Sequence, residues 1–224
     1  MINILLNQYN FDEKWCFDIL NKFINKNHKV LIIPFSFDSF KLKDNYDWQN
    51  SYNKIYGKYY NSVISPFFKY GIEEKNINWI NYFLTSQEEI INCINDSDIL
   101  FFTGGLPDKT IDRLSEFNLI SCIKNFNGII MGSSAGAMIQ INEYHISPDK
   151  DCKDFYYKNG LNMIKDFDIE VHFEETEIQM NSIHKVLAEK KHKIYAMKDE
   201  GGIVVNDGEV ILMGDVTIFE LESK

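Results

Sequence analysis

The chain has 224 residues, 45% of them hydrophobic and 25% charged. That is ordinary globular composition, ample for a sizeable core, and it excludes disorder and collagen-like repeats. The formal charge of −10 repels phosphate backbones and argues against a nucleic acid partner.

In chain order, MINILLNQYN lacks the basic and apolar regions of a signal peptide. Ile2–Leu6 reads as a strand, and residues 12–25 as a helix with Trp15, Phe17, Leu20 and Ile24 on its apolar side. Residues 29–34 form a fully apolar run of the buried parallel type. Residues 47–70 read as one helix rich in aromatics. Its tyrosines Tyr52, Tyr56, Tyr59 and Tyr60 suit packing, a pocket wall or a dimer face. A short strand is expected over 77–83. Ser86, with Glu89 three residues on, caps a helix to about Asn95. Residues 99–103 form a strand ending in Gly104-Gly105, followed by helices over 107–116 and 119–125. Residues 128–131 form a strand, then a tight turn, then a helix from Ala135. The last third holds strands near 168–172, 194–197, 202–205 and 210–213, with a helix over 176–190. Asn206-Asp207-Gly208 marks an antiparallel hairpin.

This alternation predicts one α/β domain over 1–224, an open, mostly parallel sheet with helices on both faces. No apolar window is long enough to span a membrane. Cys16, Cys93, Cys122 and Cys152 form no CxxC pair and no zinc pattern. Reduced thiols in a cytoplasmic protein are expected, with neither metal nor cofactor.

The strongest local signal is Gly132-Ser133-Ser134-Ala135-Gly136, a Gly-x-Ser-x-Gly elbow between strand and helix. Chance supplies about 0.04 such matches in a chain of this composition. The elbow holds a serine oxygen above the sheet edge, which makes Ser134 a candidate nucleophile. Gly105, at the end of another strand, could offer an N–H that forms an oxyanion hole with that of Ala135. Among five histidines, His172 ends a strand at the edge where the serine lies. His145 follows the elbow closely, and His184 and His192 read as solvated. For the carboxylate that orients the histidine, Glu200, Asp149, Asp151, Asp154, Asp168 and Glu170 all stay open at this point.

The Gly-Ser-Ser-Ala-Gly-Ala-Met run, the earlier Phe-Phe-Thr-Gly-Gly, the later Val-His-Phe and the Asp-Glu-Gly before the closing strands resemble the dipeptidase E and cyanophycinase family of serine peptidases. The resemblance spans essentially the whole chain. It implies a class I glutamine amidotransferase-like fold, with Ser134 as nucleophile, His172 as base, Glu200 as orienting acid and Asp149 as the alternative acid. It also matches Gly105 to the family's oxyanion glycine, and it implies a small peptide substrate cleaved through an acyl-enzyme. Dipeptidase E-like members favour an amino-terminal aspartate, read by basic residues after the histidine. Here Phe173-Glu174-Glu175-Thr176-Glu177 is acidic. The one arginine, Arg113, is expected to face solvent, and Lys185 is a conceivable substitute. Asp-X specificity is therefore not expected. An esterase or thioesterase, or a silent binding protein on this fold, are the competing readings.

Overall fold

The computed structural model describes residues 1–149 and 153–221. Its core is an eight-stranded, mostly parallel sheet in the order β10-β9-β1-β5-β4-β2-β3, with β8 beside β9. The strands are β1 (Ile2–Leu6), β2 (Val30–Ile33), β3 (Ile77–Trp79), β4 (Ile99–Phe102), β5 (Ile129–Ser133), β8 (Phe167–Glu170), β9 (Lys193–Asn206) and β10 (Glu209–Phe219). Strands β6 (Glu143–Ile146) and β7 (Tyr156–Asn159) form a separate two-stranded ribbon. The helices are α1 (Lys14–Leu20), α2 (Asn45–Tyr52), α3 (Tyr60–Phe68), α4 (Gln87–Asn95), α5 (Pro107–Glu116), α6 (Ile120–Lys124), α7 (Ala135–Met138) and α8 (Glu177–Lys190).

The apolar strands have a physical cause. With period two, Ile4 and Leu6, Val30 and Ile32, and Ile99 and Phe101 face one way, packed on α1 and α3. Leu5, Leu31, Ile33, Leu100 and Phe102 face the other way, against α4 to α7. Both faces of the central strands are thus buried, so a continuous Val/Ile/Leu/Phe run is required rather than an alternating one. Truncating one of these buried aromatics, such as Phe101, costs roughly 3–5 kcal/mol.

Register aligns the functional edge. Leu6 lies opposite Ser133, and Phe102 opposite Gly132 and Ile33. The chain segments that leave β1, β5, β4 and β2 therefore emerge together, at the carboxyl ends of parallel strands where ligands bind in such sheets.

Three expected elements differ. The helix expected over 47–70 is two helices, because Asn53 leaves the helical conformation and its side chain caps the Ile55 N–H at 2.8 Å. Tyr52 and Tyr60 are buried and pack on Trp79, while Tyr56 is exposed. The strands expected at 194–197 and 202–205 are one strand, β9, continuous through Glu200; its pairing with β10 shifts register between Gly214 and Val216. The β6–β7 ribbon was not expected. Cys16 is buried, and its thiol is pushed up to about 12 by desolvation; Asp151 and Cys152 lie outside the described residues.

Candidate active site

Ser134 sits between β5 and α7 with φ 50° and ψ −110°, a region that L-residues rarely occupy. The strain is held by backbone bonds. The Ser134 N–H donates to Leu6 O at 2.8 Å, and Ser134 O accepts from the N–H groups of Ala137 and Met138. The small flanking residues are obligatory: a Cβ on Gly132 would lie 2.2 Å from Gly136 O. Since α7 is a single turn, it contributes free N–H groups rather than a sizeable dipole.

His172 also has positive φ, 51°. Two side chains clamp its backbone: Asn7 Oδ1 accepts its N–H at 2.8 Å, and Gln179 Nε2 donates to its carbonyl at 2.9 Å. The next residue rejoins the sheet edge, with the Phe173 N–H on Met197 O. This strained turn swings the imidazole back over the elbow, and His172 Nε2 lies 2.9 Å from Ser134 Oγ.

The Gly104–Leu106 turn faces the same pair. Gly104 N–H donates to Tyr9 Oη and Leu106 N–H to Ser36 O, each at 2.7 Å. Burial pushes the Tyr9 phenol up to about 12, so it stays neutral. Between them, the Gly105 N–H has no acceptor among the described residues, and neither does that of Ala135. Gly105 needs to be glycine, because its φ is +140° and a Cβ would meet Ser36 O at 2.4 Å.

Ser134, His172, Gly105 and Asp149 line one cavity of about 910 Å³. Among the described residues, His172 makes no hydrogen bond to a carboxylate. Glu200 is exposed on β9 and is not among the cavity-lining residues. Its neighbour Asp199 instead accepts from Asn7 and Gln8.

The wall of the cavity includes part of a charged cluster that sequence reasoning missed. His145 is fully enclosed, with Nδ1 2.9 Å from Asp168 and Nε2 2.7 Å from Glu170. Burial alone would depress the imidazole, but the Asp168 and Glu170 carboxylates outweigh it and raise His145 to about 9. Burial likewise works against the Asp168 carboxylate, but His145 and Lys190 overcome it and lower its pKa. Ser147 donates to Glu170 at 2.8 Å, which ties the loop bearing Asp149 to this cluster.

Two expectations are corrected. Arg113 does not face solvent: it is 5% exposed, and its guanidinium stacks on Phe37 and bonds the carbonyls of Phe35 and Phe37. A guanidinium can be buried when carbonyl oxygens and an aromatic face replace water, as they do here. His192 is only half exposed, and its Nε2 is buried with no hydrogen-bond partner among the described residues. Lys185 lies over the ring of Phe155, and among the described residues the lysine that lines the cavity is Lys109.

The profile of peptidase family S51 matches residues 7–213. The chain belongs to this family of serine-type peptidases. A candidate peptidase E protein from Listeria monocytogenes EGD-e shares the fold, with a TM-score of 0.64 and 17% identity over 94% of this chain and 96% of that one. A peptidase from an acI-B1 Actinobacterium aligns with a TM-score of 0.62 and 17% identity over 98% of this chain and 90% of the other. No curated protein matches the sequence. Among the described residues no helix is long and apolar enough to cross a membrane.

Proposed function

We propose that this S51 peptidase hydrolyses small peptides in the cytoplasm through an acyl-enzyme on Ser134, with His172 as general base. The observation that carries this reading is the 2.9 Å contact between His172 Nε2 and Ser134 Oγ, on two backbones held in strained conformations. His172 takes the Ser134 proton as Oγ attacks the peptide carbonyl. The oxyanion accepts hydrogen bonds from the N–H groups of Gly105 and Ala135. Protonated His172 then gives its proton to the leaving amine, and water, activated by the same imidazole, releases the acid. Of Glu200 and Asp149, the two carboxylates that the family resemblance offers for orienting His172, Asp149 is favoured because it shares the cavity with the imidazole.

Labelling by a fluorophosphonate probe tests the reading. Ser134→Ala abolishes labelling without lowering the melting temperature. Unchanged labelling of that variant, or none of the folded wild type, rejects Ser134 as nucleophile. Asp149→Asn lowers the labelling rate more than Glu200→Gln does, and the opposite order makes Glu200 the orienting acid.

A further inference from the structure

The peptide that joins Gly104 to Gly105 is held by a residue outside the motifs. No peptide bond in the described chain is cis. In a trans peptide the carbonyl and the following N–H point in opposite directions in one plane. Whatever holds Gly104 O therefore sets the direction of the Gly105 N–H. The Ser36 hydroxyl donates to Gly104 O and shares a second hydrogen bond, 2.8 Å long, with the Thr103 hydroxyl. Ser36 O in turn accepts the Leu106 N–H at 2.7 Å. Ser36 thus grips the turn at two successive peptides.

Ser36 is itself held from both sides. Arg113 Nη1 donates to the carbonyls of Phe35 and, at 2.8 Å, of Phe37, the residues that flank it. Arg113 Nη2 reaches Ser39 Oγ at 2.9 Å, and the guanidinium carbon lies 3.4 Å from the Phe37 ring centroid. Both Ser36 and Arg113 are buried. A lysine cannot bracket two carbonyls, reach the serine and stack flat on the ring at once.

We propose that Ser36 and Arg113 are positioning residues for acyl transfer: Arg113 fixes the loop after β2, and Ser36 on that loop fixes the plane of the Gly104–Gly105 peptide so that its N–H stays turned to the oxyanion. The proposal rests on the reading of Ser134 as nucleophile. It accounts for the burial of the chain's one arginine against the loop after β2.

Saturable fluorophosphonate labelling of Ser134 tests it in Ser36→Ala and Arg113→Lys. The limiting rate falls roughly tenfold or more, a fraction of the loss on deleting an oxyanion donor outright. The half-saturating probe concentration stays unchanged, which a general loosening of the site would not produce. Amide exchange reads the seat without chemistry: the Leu106 N–H exchanges faster in Arg113→Lys. A wild-type limiting rate in Ser36→Ala overturns the proposal, and that variant decides alone if Arg113→Lys fails to fold. Absence of labelling in the folded wild type counts instead against Ser134, and wild-type exchange at Leu106 in folded Arg113→Lys removes Arg113 from the seat.

Discussion

Asn7 joins more of the site than any residue in its motifs. Its carbonyl accepts from Ser133 Oγ, its N–H donates to Gly201 O, and its side chain holds the His172 N–H and reaches Asp199. It is fully buried just past the end of β1. Asn7→Ala leaves the His172 N–H without its acceptor at a residue that already carries backbone strain. An orphaned polar group of this kind costs about 1–3 kcal/mol. The variant is expected to unfold at lower urea and to label more slowly with a fluorophosphonate. Wild-type values in both measurements would show that the clamp on His172 does not depend on Asn7. The serine and the histidine were legible because each ends an apolar run with a residue type that has chemistry. Asn7, Ser36 and Gln179 were not, since each acts on a residue distant in sequence or through a backbone group.

At the scale of elements, β8 and the β6–β7 ribbon share a buried charge pattern. Strand β8 buries Asp168 and Glu170 along with its apolar residues, and His145 of β6 answers both. The pKa of His145 is raised in the folded state to about 9, above its ordinary value of about 6.5. Its contribution to stability is therefore complete below about pH 6.5 and lost as pH rises through about 9. The melting temperature is expected to fall between neutral pH and about pH 10, and this segment of the profile to flatten in a His145→Gln variant. The contribution is on the order of 3 kcal/mol at its full value. An equally steep decline in the variant would assign the loss to other groups. The ribbon escaped sequence reasoning because its strands are four residues each and carry polar residues throughout. The helix α4 was legible for the opposite reason: Ser86 and Glu89 form the full capping box, a signal contained within four residues. The break between α2 and α3 was hidden because aromatic periodicity runs on across Asn53, whose side chain ends the helix.

For the whole molecule, charge separates the reaction from its substrate. The net charge is −10, and among the described residues the cavity is lined by Asp108, Asp149, Glu170 and Glu174, against Lys109 and His145. Much of this charge is answered locally: Asp108 is bonded by Tyr144, Tyr156 and Lys158, and Glu170 by His145 and Ser147. Glu174, by contrast, is exposed beside the histidine. The one guanidinium that could grip a carboxylate as a fork is committed to the Phe35 and Phe37 carbonyls. A substrate with an acidic side chain thus approaches a like-charged surface and finds no arginine to receive it. Aspartyl and asparaginyl p-nitroanilides, which differ by little besides charge, isolate this effect. At low salt the asparaginyl compound is expected to have the larger kcat/KM. The gap should narrow as salt rises from about 0.01 M to about 1 M, where the screening length contracts from roughly 30 Å to roughly 3 Å. The narrowing comes from faster turnover of the anionic substrate, since the field repels it and leaves the neutral one untouched. A faster aspartyl reaction at low salt, slowed by added salt, would mean that a cation such as Lys109 outweighs the acidic lining and reads the substrate carboxylate.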